Sequence, residues 1–86
     1  MKEMTLNNIE CGHAVRVVYV KGQGSLKKRI LDMGMVPDVV VTVVRKAPMG
    51  DPIELSLKGY NLSLRQKEAE TIVVQNNDAV FEKNEL

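Results

Sequence analysis

The chain has 86 residues, a single cysteine, no tryptophan, and 12 basic against 11 acidic side chains for a net charge of +1. A chain this short holds one domain with one modest core and buries only about 60–65% of the surface its unfolded form exposes. Charge balance and the scarcity of aromatics (Tyr19, Tyr60 and Phe81 only) speak against a nucleic-acid-binding track, and the lone Cys11 rules out an internal disulfide and fits a reducing compartment.

The opening residues, Met1 to Asn8, lack the apolar run of a secretory leader. The longest apolar stretch, 39–44 with Thr42 inside it, is too short to cross a bilayer. A cytoplasmic protein with no direct membrane insertion is expected. The ending Lys83-Asn84-Glu85-Leu86 looks like a retention address for the secretory route, which has no meaning without entry into that route.

Ala14 to Val20 is rich in β-branched residues and predicts a first strand, broken by Lys21-Gly22-Gln23-Gly24. Ser25 is expected to cap a helix over 26–33, with Leu26, Ile30 and Met33 at i, i+4 and i+7 forming its apolar stripe. Gly34 suits the left-handed residue after a helix, and Pro37 blocks continuation. Residues 39–46 predict a second strand and 47–52 a turn-rich loop. Ile53 to Leu57 and Tyr60 to Leu64 alternate around a Lys58-Gly59 turn and predict a hairpin, with Asn61 and Ser63 facing water. Residues 65–70 suit one helical turn, 71–74 a closing strand, and the chain from Gln75 onward is polar apart from Ala79-Val80-Phe81.

Short strands joined mostly by hairpins protect their edges most economically by closing on themselves. The expected fold is mostly β: a small SH3-like β-barrel of about five strands, with one inserted α-helix and a short helical turn before the last strand. It spans 5–75 and is followed by a polar tail, 76–86.

Candidate contact residues follow from chemistry. Lys27, Lys28 and Arg29 crowd the first helical turn, where positive charge opposes the helix dipole at about a few tenths of a kcal/mol each. They suit an acidic partner or a solvated face. Met35 and Met49 lie in loops and offer adaptable contacts, or fill gaps at the barrel ends. Arg65, between a strand and a helical turn, can meet a partner, bond turn carbonyls, or pair with Glu68 or Glu70. Val40 and Val44 are expected to face outward and invite self-association, or to lie under the tail. Gly22-Gln23-Gly24-Ser25 lacks the further residues of a dinucleotide or P-loop fingerprint and reads as a loop and cap. Glu10, Cys11 and His13 are the only local set with metal-capable atoms, and they lack the four-ligand spacing of a structural zinc site. No cofactor is expected.

Three stretches in this order resemble the FeoA domain family: residues 26–37, with a basic helix ending in Gly34-Met35-Val36-Pro37; residues 45–52, with Ala47-Pro48-Met49-Gly50-Asp51-Pro52; and Gly59-Tyr60-Asn61-Leu62-Ser63-Leu64-Arg65, followed by Glu68-Ala69 and Ile72-Val73-Val74. Asp38 departs from the pattern, which has glycine there. The resemblance implies a small accessory protein of ferrous iron uptake. Its implied partner is the ferrous iron permease with a cytosolic GTP-binding domain, which would hold it peripheral to the inner membrane. The alternative is a free-standing regulatory domain related to the SH3-like C-terminal domain of metal-dependent transcriptional repressors. An enzyme is disfavoured, because one His and one Cys leave little for a nucleophile–base pair. A proline-peptide groove would need more aromatics than the barrel holds.

Overall fold

Alternating β-branched and leucine residues build a single antiparallel sheet. The computed structural model describes residues 3–76. In chain order these form β1 (Met4–Thr5), a 3-10 turn (Leu6–Asn8), β2 (Ala14–Val20), α1 (Ser25–Asp32), β3 (Val40–Lys46), β4 (Ile53–Leu57), β5 (Tyr60–Leu64), α2 (Gln66–Ala69) and β6 (Ile72–Asn76). The strands lie in the order β1-β6-β2-β3-β4-β5. There are thus six strands where about five were expected. The addition is β1, which pairs Met4 with Val74 and Thr5 with Val73.

Two register shifts bend the sheet around its core. In β2 the alternation that buries Val15 and Val17 changes phase between Val17 and Tyr19, so Val18 and Tyr19 face out and Val20 faces in. In β3 a shift between Val43 and Arg45 leaves Val44 outside. An extra residue in one strand increases local twist, which curls a small sheet. Val40 and Val44 are 41% and 43% exposed.

The inner face is one cluster to which each element except β1 contributes, including Leu6, Val17, Ile30, Val41, Leu55, Leu64, Ala69 and Ile72. No ladder joins β5 to β1 among the described residues. Instead α2, which follows β5, packs on the 3-10 turn that follows β1.

Helix α1 differs from expectation at both ends. Gly24, at φ 87°, is the N-cap and Ser25 is the first helical residue, with no side-chain cap bond. Ile30 is buried, Met33 half-buried, and Leu26 40% exposed, so the expected stripe narrows to its C-terminal half. The helix ends in a Schellman motif: Gly34 N–H donates to Leu31 O at 3.0 Å and Met35 N–H to Ile30 O at 3.4 Å. The apolar contact that accompanies this motif places Met35 against the core, fully buried with Ile30. Met35 is therefore a core side chain, correcting its expected role as a contact residue.

The connection to β3 uses Asp38 at φ 77°. β6 continues through Gln75 and Asn76, the latter paired with Val15, so the ladder reaches past the expected start of the tail. The rest of that tail, with Ala79-Val80-Phe81, lies outside the described residues. No helix among the described residues is long and apolar enough to cross a membrane.

Candidate docking surface

The β3–β4 loop, 47–52, is closed on itself and tied to α2. Ala47 N–H donates to Pro52 O at 3.0 Å and Gly50 N–H to Ala47 O at 2.7 Å; the Asp51–Pro52 peptide is cis. Asp51 Oδ1 accepts the Gln66 N–H at 3.0 Å and lies 3.5 Å from Arg65 Nη1. The first amides of a helix have no partner within it, so a carboxylate from a loop 15 positions away does the work of a cap. On this base Met49 projects with 90% of its surface exposed, twice the exposure of any other large apolar residue described.

Beside the loop lies an open cleft of about 360 Å³, lined by Arg45, Lys46, Ala47, Pro48, Pro52, Glu54 and Ser63. Its charges are committed internally. Arg45 Nη2 bonds Glu54 Oε1 at 2.9 Å across the β3–β4 pair, and Lys46 Nζ donates to Asn7 O at 3.0 Å. Apolar proline and methionine surface therefore dominates what the loop offers.

The basic turn of α1 is divided. Arg29 Nη2 pairs with Glu68 Oε2, and the other oxygen of Glu68 accepts the Arg65 N–H at 2.8 Å. Glu68 is only 9% exposed and is the one buried charged residue described. With both carboxylate oxygens occupied, it joins α1 to the start of α2. Arg29 is thus a strut between the helices, and Arg65 supplies the N-cap position of α2 and the partner of Asp51. Lys28 reaches Asp32 at 3.6 Å, with both side chains largely exposed, a pair worth about 0.3–0.5 kcal/mol. Lys27 makes no ion pair among the described residues.

Sequence reasoning offered Glu68 only as a partner for Arg65 and missed its bond to Arg29 and the roles of Asp51 and Tyr60. The Tyr60 hydroxyl donates to Met33 O at 2.8 Å, closing the C-terminus of α1 from β5. The signal for Glu68 was its place three residues after Arg65, which suits a helix-start acceptor; its arginine lies 39 positions away and only the fold brings it near. Glu10, Cys11 and His13 are exposed on a turn in which His13 N–H donates to Glu10 O at 3.3 Å. They do not converge, and no group of three metal-capable side chains exists among the described residues.

The FeoA domain family model matches residues 4–76. The Fe(2+) transport protein A/Fe(2+) transporter FeoB fusion protein of Porphyromonas gingivalis is 40% identical over 72 residues, 84% of this chain and 8% of that protein. The chain therefore spans a small fraction of that curated relative. The NMR structure of a FeoA-like protein from Clostridium acetobutylicum is 41% identical, with a TM-score of 0.81 and 88% of each chain covered. The crystal structure of Stenotrophomonas maltophilia FeoA complexed with zinc, described as an SH3 domain protein, is 26% identical with a TM-score of 0.75, covering 84% of this chain and 89% of that one. A manganese-dependent transcriptional repressor, 15% identical with a TM-score of 0.77 over 86% of this chain and 41% of that one, shares the fold alone.

Proposed function

The chain belongs to the FeoA family, and from that membership we infer that it is a small accessory protein of ferrous iron transport, acting by contact with the cytosolic part of a ferrous iron permease. One observation carries this reading: in the Porphyromonas gingivalis relative the matching domain shares a polypeptide with a FeoB transporter. Two parts on one chain meet at a high effective concentration, which supports a working contact between them. The domain sits at the cytoplasmic face of the inner membrane through that partner.

The surface offered is the Met49 loop together with Lys27 and Lys28. A polarizable, unbranched side chain on an anchored loop adapts to an apolar pocket at little cost to the loop itself. The two lysines add selectivity for an acidic rim without being needed inside the fold. Arg29, Arg65 and Met35 hold the scaffold that presents this surface. The role is non-catalytic, and Glu10, Cys11 and His13 have no part in it.

Co-purification with the cytosolic portion of the permease, together with ferrous uptake in a strain lacking the gene, tests the reading. Complex formation and reduced uptake are expected. Unchanged uptake with no complex would overturn it.

A further inference from the structure

The two edges of the sheet are built differently. β1 is two residues long, and shortness is one of the devices by which proteins keep an edge from pairing with other chains. β5, at the opposite edge, has five residues, Tyr60–Leu64, with no proline and no charge. Its register against β4 runs unbroken from Leu57 with Tyr60 to Ile53 with Leu64. None of the usual protections of shortness, charge, proline or bulge is present.

The turn fixes which backbone groups are free. Lys58 and Gly59, at φ 51° and 87°, form a two-residue connection with both central residues left-handed. The residues flanking such a turn exchange hydrogen bonds, and bonded and non-bonded pairs then alternate along the hairpin. Tyr60, Leu62 and Leu64 bond to β4, so Asn61 and Ser63 direct their N–H and C=O groups away from the sheet. Both residues are exposed, and neither has a backbone partner outside the ladder among the described residues.

Charge indicates what pairs there. Lys58 precedes the strand and Arg65 and Lys67 follow it, all exposed. Lys58 and Lys67 have no carboxylate partner among the described residues, and the pair of Arg65 with Asp51 is long at 3.5 Å. An uncharged strand bounded by cations at both ends complements an extended segment bounded by carboxylates.

We propose that β5 is a strand-addition site that takes an extended run of about five residues, flanked by acidic side chains, from the cytosolic part of the permease. This rests on the functional reading above and gives it a place on the molecule. Asn61 and Ser63 supply two donors and two acceptors, and Lys58 and Lys67 select the flanks.

The test measures amide hydrogen exchange of the full chain alone and with the permease's cytosolic portion, alongside affinity for the Ser63→Pro variant. Proline there removes the outward N–H and takes no donor from the β4 ladder, as suits an edge strand. Expected results are slowed exchange at Asn61 and Ser63 on binding and at least a tenfold loss of affinity for Ser63→Pro. If that variant does not fold, Lys58→Glu with Lys67→Glu replaces it, with a loss of affinity again expected. Tight binding of the cytosolic portion with unchanged exchange at both amides would overturn the edge site while leaving the functional reading in place. Absence of any binding would overturn both. Protection that rises with the concentration of the chain alone would assign the edge to a second copy and overturn the proposal.

Discussion

Replacing Gly34 by Ala tests how α1 is joined to the hairpin. Gly34 sits at φ 108°, and a Cβ built there would lie 2.8 Å from the Tyr60 hydroxyl and 3.5 Å from Leu57 Cδ1. Two costs arise. A non-glycine residue at such a φ costs about 1–3 kcal/mol. The tyrosine must also retreat, giving up its bond to Met33 O, about 0.5–1.5 kcal/mol for a partly exposed hydrogen bond. Their sum, about 1.5–4.5 kcal/mol, corresponds to a fall of roughly 6–36 °C in Tm for a domain of this size. Thermal unfolding followed by circular dichroism, in a cycle with Tyr60→Phe, separates the two costs. Without the hydroxyl there is neither a clash nor a bond to lose, so Gly34→Ala in that background should cost only the backbone part. The expected coupling is about 0.5–1.5 kcal/mol. A single variant melting at the parent temperature would refute the backbone argument. Strict additivity would refute the steric one.

The charged turn of α1 should divide in the same assay. Arg29→Glu sets a carboxylate against Glu68 and should destabilise by about 2 kcal/mol, a buried-pair loss reduced because Arg29 is half exposed. Lys27→Glu with Lys28→Glu should stay within about 0.5 kcal/mol of the parent while weakening capture of the permease's cytosolic portion in a binding assay. Asp51→Ala removes the acceptor for the Gln66 N–H and should cost about 1 kcal/mol by urea unfolding, as for a lost helix cap. The Tyr19 phenol is held above its ordinary value of 10.0, first by its hydrogen bond to Glu3, then by burial and the Glu3 charge. Its contribution to stability is present below the unfolded value and is lost as pH rises through the raised one. Glu3→Gln should bring the Tyr19 titration down toward the ordinary value, read by phenolate absorbance in a Tyr60→Phe background.

Local periodicity and turn chemistry made much of the fold legible. β2 has the bounds expected from its β-branched residues and the glycine-rich break after it, and β4 and β5 those expected from their alternation and from Lys58-Gly59, because those signals are contained in a few neighbouring residues. β1 was not legible, since two residues carry no period. Nor were the register shifts in β2 and β3, where the adjacent valines Val17-Val18 and Val43-Val44 leave no alternation to fix the phase. Met35 and Met49 both follow loop-forming residues, yet one is buried and the other stands 90% exposed. The difference was readable in principle, because an apolar residue directly after the left-handed glycine of a helix end packs back onto that helix. Arg29 was not readable as a strut, because its carboxylate comes from an element 39 positions away.

Net charge alone describes this surface poorly. Three of the paired cations join segments distant in sequence, Lys21 to Glu3, Arg29 to Glu68, and Arg65 to Asp51, while Lys28 pairs within α1 with Asp32. Arg45 and Glu54 bind adjacent strands, and Lys46 holds the 3-10 turn. What these contacts leave uncommitted among the described residues is Arg16, Lys27, Lys58 and Lys67. A balanced total gives little long-range attraction, and screening at physiological salt confines exposed charges to about 8 Å. Such cations can select a partner only once it has already docked in register. In the complex we propose, shape and backbone therefore bring the partner in through the Met49 tip and the β5 edge, and the lysines then discriminate among segments by the acids that border them.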